Sequence, residues 1–192
     1  MEKNILSLGI FAVVILLFSC SSKTSKKDSL VGNNMSLECA NKVVKYYDTS
    51  LNLLKNMVRE KEMDEILKFM EQRGTSPVDP NIAPSVILTS DSVTVMEPDT
   101  CFDIATRQEL QRAYGDLFKA TQKFYANYQA FQTYIKSRNY KKDNYAGGAK
   151  LLEINSTLST KMTEDKQVIY DMLSTYMEQA NQVLSANKSP NK

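Results

Sequence analysis

Leu110, Tyr114, Leu117, Thr121, Phe124, Tyr128, Phe131 and Ile135 follow one another at steps of 4-3-4-3-4-3-4. This stripe constrains the fold more than any other feature of the chain. Residues three and four apart share one face of an α-helix, so a stripe kept over nearly four heptads demands a partner along its whole length. It predicts a long helix from Phe102 to Arg138. Gly115 inside that helix costs up to about 1 kcal/mol against Ala and points to a close helix contact.

Two further stripes flank it. Leu37, Ala40, Val44, Tyr47, Leu51, Leu54 and Val58 mark one helix face, with Ser36 as its N-cap. The phase changes around Arg59–Glu62, before Met63, Ile66, Leu67 and Met70, so either one helix kinks there or two helices meet. Gly74 ends the run. Leu151, Leu158, Met162, Ile169, Met172, Tyr176 and Val183 mark a third long helix, widened by Leu152, Leu173 and Leu184. Asn155 and Asp165 interrupt it, which reads as a less buried stripe. The fold class is all-α: an elongated bundle of three to four long helices.

The connections differ in length. Residues 137–150 (SRNYKKDNYAGGAK) are short, with Asn139 to end one helix and Asp143 or Asn144 to cap the next, so the helices they join run antiparallel. Residues 74–100 hold all but one of the prolines. Within them, SVILT and SVTVM read as two short β-like runs around Ser-Asp, enough for a small hairpin. Cys39 and Cys101 both lie near helix starts. Bridged, they make the first and second helices parallel; as two buried thiols, they leave the simpler antiparallel arrangement. Both alternatives stand at this point.

The N-terminus carries an address. Ile5–Phe18 is an apolar run of fourteen residues, shorter than the roughly 20 needed to cross a bilayer and the length of a secretory signal core. Leu17, Phe18, Ser19 and Cys20 resemble the box of the bacterial lipoprotein signal. The resemblance implies cleavage before Cys20 and lipid on that residue, each buried CH₂ adding about 0.8 kcal/mol of membrane affinity. Ser21 and Ser22, with no Asp after the cysteine, imply the outer membrane. The expected organisation is a signal peptide at 1–19, a flexible tether at 20–35, a helical domain at 36–186 and a disordered tail at 187–192.

Composition narrows the chemistry. The chain has no His, which removes the usual general base and the commonest metal ligand. Lys and Arg number 24 against 22 Asp and Glu, so nothing points to nucleic acid. The neighbouring acids Glu62, Asp64 and Glu65, and Glu164 with Asp165, read as solvated helix faces rather than opposed catalytic carboxylates. No enzyme, no metal and no cofactor is expected.

YIKSRNYKKDNYAGGAKLL (134–152) resembles the YiiG-like bacterial envelope lipoproteins of unknown function. Tyr140, Lys142, Asp143, Asn144, Tyr145, Ala146 and Gly148 match that family's turn, and YYDTSLNLL (46–54) is similar to its first helix. The likeness spans most of 36–186. It departs at Leu151 and Leu152, where relatives often carry His. It implies a helical bundle exported on a lipid anchor, and no activity.

The candidate binding residues are Tyr128, Tyr134, Arg138, Tyr140, Lys142, Asp143, Asn144 and Tyr145, at one end of the bundle. The plain alternative is an ordinary capped connection with tyrosines shielding the bundle end. Asp28-Ser29-Leu30 and Asp91-Ser92-Val93 resemble the Asp-Ser/Thr-apolar sites glycosylated in exported Bacteroidota proteins, which makes Ser29 and Ser92 candidate O-glycosylation sites. The expected function is a non-enzymatic structural or interaction module that meets an envelope protein or a glycan. The alternative is a small-ligand or glycan-binding module with a tyrosine-lined groove. A heptad stripe also serves self-association, so a homo-oligomer stays open.

Overall fold

The computed structural model describes residues 35–75 and 90–188. Cys20, Ser29 and the SVILT run lie outside them. The described residues form α1 (Leu37–Met57), α2 (Glu60–Glu71), α3 (Ser90–Met96), α4 (Ile104–Lys136), the single turn α5 (Tyr140–Asp143) and α6 (Ala146–Lys188). No described residue is in a strand.

The α4 stripe is the spine of the core. Leu110, Tyr114, Leu117, Thr121, Phe124, Tyr128 and Phe131 are all buried, and only Ile135 is half-buried at the end. α6 lies antiparallel to α4. Its inward seam is Gly148, Asn155, Met162, Ile169 and Tyr176, a spacing of seven. This corrects the reading of Asn155 as an interruption. The residue is wholly buried, its Nδ2 donates to the Phe124 carbonyl at 3.2 Å, and its Oδ1 has no partner among the described residues. A polar residue at a seam position costs stability and selects register. Gly115 has nothing within 4 Å of where a Cβ would stand; the close helix contact is at Gly148 instead, where a Cβ would stand 3.0 Å from Tyr134 and 3.3 Å from Phe131.

α1 and α2 run parallel to α4. Cys39 and Cys101 are bonded, with Cα atoms 5.3 Å apart, and this fixes the starts of α1 and α4 side by side. Ser36 caps α1 by accepting from the Cys39 N–H at 3.1 Å. The buried face of α1 is Ala40, Val43, Tyr46, Ser50, Leu53, Leu54 and Met57, about one position round from the expected stripe. Val44, Tyr47 and Leu51 sit at its flank because α1 is covered on two sides, by α6 and by α3. The helix breaks at Val58 and Arg59, where ψ opens to 78° and 80°. Continued unbroken, the same face would turn Glu60, Lys61 and Asp64 inward; the break brings in Met63, Ile66 and Met70 instead.

α3 overturns the expected hairpin in the part that is described. SVTVM is helical, with Ser92 and Val95 buried three apart, and Tyr46 Oη donates to the Val95 carbonyl at 2.7 Å. The β-branched run favours a strand only where a strand partner exists; here α1 and α4 offer a groove that a helical face fills. At this end Phe102 packs between Tyr46 and Tyr176, with centroids 5.1 and 4.9 Å away. Asp103 caps α4 by accepting from the Thr106 N–H at 2.9 Å, and it also accepts from the Tyr176 hydroxyl. The last described turn of α6 reaches Lys188, two residues into the expected tail.

Candidate functional site

The turn between α4 and α6 forms the end of the bundle opposite the disulfide. α4 stops at Ser137, and Arg138 turns left-handed at φ 57°. Asn144 and Tyr145 follow at φ 51° and 66°. The first is a residue type that tolerates this region; an aromatic one does so at a cost on the order of 1 kcal/mol. Tyr145 is held there by its neighbours. Tyr140 stacks on it at 4.7 Å and 19°, and the Arg73 guanidinium lies 4.6 Å from its ring centroid. Arg73 comes from the end of α2, where it and Gly74 are also left-handed, at φ 56° and 69°. The Gly74 N–H donates to the Phe69 carbonyl, which closes α2 against Ile135 of α4.

Asp143 ties the turn together. Its carboxylate accepts from the Tyr134 hydroxyl at 2.6 Å and from the Gly147 N–H at 2.9 Å. These bonds, the Tyr134 one foremost, hold its pKa below the usual carboxylate range. Loss of solvent, then Asp143 itself, pushes the Tyr134 phenol up. A Cβ on Gly147 would stand 2.9 Å from the Asp143 oxygen and 3.2 Å from the Tyr134 ring, so a larger residue there would push the carboxylate aside.

Beside the turn is a cleft of about 300 Å³. Met70 and Phe131 form a buried floor, Leu152 a half-buried wall, and Arg73, Asn144 and Tyr145 the rim. Tyr134, Tyr140, Asp143, Asn144 and Tyr145 therefore come together as one cluster. Arg138 and Lys142 are exposed beside it. Tyr128 belongs elsewhere: it is 1% exposed, packs edge-on against Phe69 at 6.1 Å, and its hydroxyl accepts from Gln132. Tyr114 and Tyr125 are equally buried, so these two tyrosines of α4 belong to the core with Tyr128, whereas Tyr134 is half-buried. Ser92 is 4% exposed inside α3 and lacks the open, extended setting its modification requires. Sequence reasoning missed Arg73, Met70 and Leu152. Only the helix stop at Gly74 signalled where α2 ends.

A second polar cluster lies at the α1–α2 break. Tyr125 Oη donates to Glu62 at 2.8 Å, and Glu62 pairs with Arg59 at 2.6 Å. Burial first, then the Glu62 hydrogen bond, pushes the Tyr125 phenol up to about 12. With each polar group facing another across two helices, the cluster reads as a strut. Among the described residues no group of three His, Cys, Asp or Glu is placed to hold a metal, and no helix is long and apolar enough to cross a membrane.

Residues 34–187 match the family described as Domain of unknown function (DUF6845). No curated protein matches the sequence. Three solved structures are similar. A DUF3829 family protein from Bacteroides vulgatus is 39% identical, with a TM-score of 0.71 over 82% of this chain and 100% of that one. An alpha helical protein from Bacteroides fragilis is 41% identical, TM-score 0.68, over 79% of this chain and 57% of that one. A DUF3829-like protein from Bacteroides thetaiotaomicron is 34% identical, TM-score 0.64, over 79% and 54%. The chain thus spans little more than half the length of the latter two.

Proposed function

Since the chain belongs to the DUF6845 family, which carries no assigned activity, we propose that it is a lipid-anchored cell-envelope protein of the YiiG-like kind, acting as a non-enzymatic structural or interaction module. The observation that carries this reading is the closed bundle. Tyr114, Leu117, Phe124, Met162 and Ile169 are each 0% exposed along the α4–α6 seam, so among the described residues this seam is closed to a ligand. The stripe that would serve self-association is used within the chain. A glycan or small-ligand module would need free tyrosine faces, whereas Tyr128 is buried and Tyr145 is stacked. The anchor is Cys20, joined to Ser36 by the polar tether of residues 20–35, and the outer membrane is its proposed site.

The test is metabolic labelling with a palmitate analogue, followed by membrane fractionation and crosslinking, for the natural chain and a Cys20→Ala version. Label and outer-membrane recovery confined to the natural chain, with a reproducible envelope protein crosslinked to it, is the expected result. Label retained by the Cys20→Ala chain would refute the anchor, and an absence of crosslinked partners would refute the interaction role.

A further inference from the structure

The surface around the α4–α6 turn is strongly basic. Arg73, Lys136, Arg138, Lys141, Lys142 and Lys150 are all exposed at this end, and none of them pairs with a carboxylate among the described residues. Of the carboxylates near the turn, Asp143 is already engaged by Tyr134 and Gly147, and Glu71 and Glu153 are exposed. Every left-handed residue among those described sits at this end as well: Arg73, Gly74, Arg138, Asn144 and Tyr145. Backbone strain in non-glycine residues persists where surrounding structure enforces it, and it concentrates at binding sites. Arg73 and Glu71 stand at the cleft floored by Met70 and Phe131, and the other cations lie on the neighbouring residues of the turn.

From this juxtaposition we infer that the α4–α6 turn is a docking surface for an acidic segment of a partner protein that inserts one apolar side chain into the cleft between Arg73, Tyr145 and Leu152. Charge complementarity selects the acidic partner. The apolar floor selects a side chain over a sugar, which would need converging hydrogen-bonding groups where Met70 and Phe131 stand. The cleft volume of about 300 Å³ suits a single large side chain. Exposed Arg73, with the lysines of the turn nearby, beside a small apolar centre reproduces the polar rim and buried anchor of protein interfaces. The inference rests on the interaction-module reading and names the face and the partner chemistry.

The experiment uses the full-length protein in neutral phosphatidylcholine vesicles and a labelled peptide, Glu-Glu-Leu-Glu-Glu-Phe-Glu-Glu. Binding is followed by fluorescence anisotropy as salt is raised. The peptide is expected to bind at least about tenfold more tightly than its Lys counterpart and than a version with Ser for Leu and Phe. Lys136→Glu, Lys141→Glu and Lys142→Glu together should weaken it by a similar factor with an unchanged melting temperature, since all three side chains are exposed. Lys61→Glu, at the α1–α2 break, should leave it unaltered. Equal binding of the Lys peptide, or equal binding by the triple variant, would overturn the proposal. Stronger competition by a sulfated glycan or by phosphatidylglycerol-containing vesicles would also overturn it, in favour of a glycan or a membrane. A crosslinked envelope partner that maps to another face would overturn this surface and leave the interaction role standing.

Discussion

Removing the Cys39–Cys101 bond with Ser at both positions should lower stability by about 4 kcal/mol. The bridge joins residues 62 apart in sequence. In the chain-entropy treatment, opening a loop of that size returns about 14 cal/mol/K to the unfolded chain, or roughly 4 kcal/mol at 25 °C. The native side changes little by comparison. Tyr46, Phe102 and Tyr176 still stack beside the bridge, Ser36 still caps α1 and Asp103 still caps α4. Followed by far-UV circular dichroism in urea, the midpoint should fall by roughly 2 M if the slope is about 2 kcal/mol/M, and the slope should rise because the freed unfolded chain exposes more surface. Melting should drop by roughly 10 °C. A midpoint within about 0.3 M of the natural chain, at unchanged slope, would refute the reasoning. It would mean that the unfolded chain keeps α1 and α4 together without the bond.

Other outcomes follow from single contacts. Gly148→Ala should cost about 1–2 kcal/mol despite the better helix propensity of Ala, because the new methyl meets Tyr134 and Phe131 at 3.0 and 3.3 Å; urea midpoints would measure it. Asn155→Leu should raise the midpoint by about 1 kcal/mol equivalent, since it removes a buried acceptor without a partner from the seam. Asp103 is held at about 2, chiefly by the Tyr176 hydroxyl and then the Thr106 N–H. Its contribution is therefore complete above the unfolded value of about 3.9 and lost as pH falls towards 2. Asp103→Asn should lower stability at neutral pH and flatten that acid limb in pH-resolved thermal melts.

What could be read in advance depended on how local the cause was. The α4 stripe was legible because one partner, α6, covers one face at a constant spacing. α1 was read one position off because α3 covers a second side, and α3 comes from a distant part of the chain. Asn155 was misjudged by polarity; only packing shows a seam residue whose amide is spent on the Phe124 carbonyl. SVTVM looked extended because β-branched residues suit strands, and the groove between α1 and α4 overrode that preference. The turn cluster was legible over 134–145 because those residues are neighbours in sequence. Arg73 was not, since its place over Tyr145 depends on where α2 lands. The cysteines left two arrangements open, because sequence separation says nothing about the distance between their Cα atoms.

The unbroken run of α4 sets a length. Its 33 residues extend about 50 Å at 1.5 Å each. The chain enters the domain at Ser36, beside the disulfide and the start of α4, and the basic turn lies past its far end. Anything that grips the N-terminal side therefore leaves the turn some 50 Å away, at the tip of a rod stiffened by α6 along its flank. Rigid helices set that distance. A contact made at the tip would accordingly be made at a defined distance from the disulfide end of the bundle.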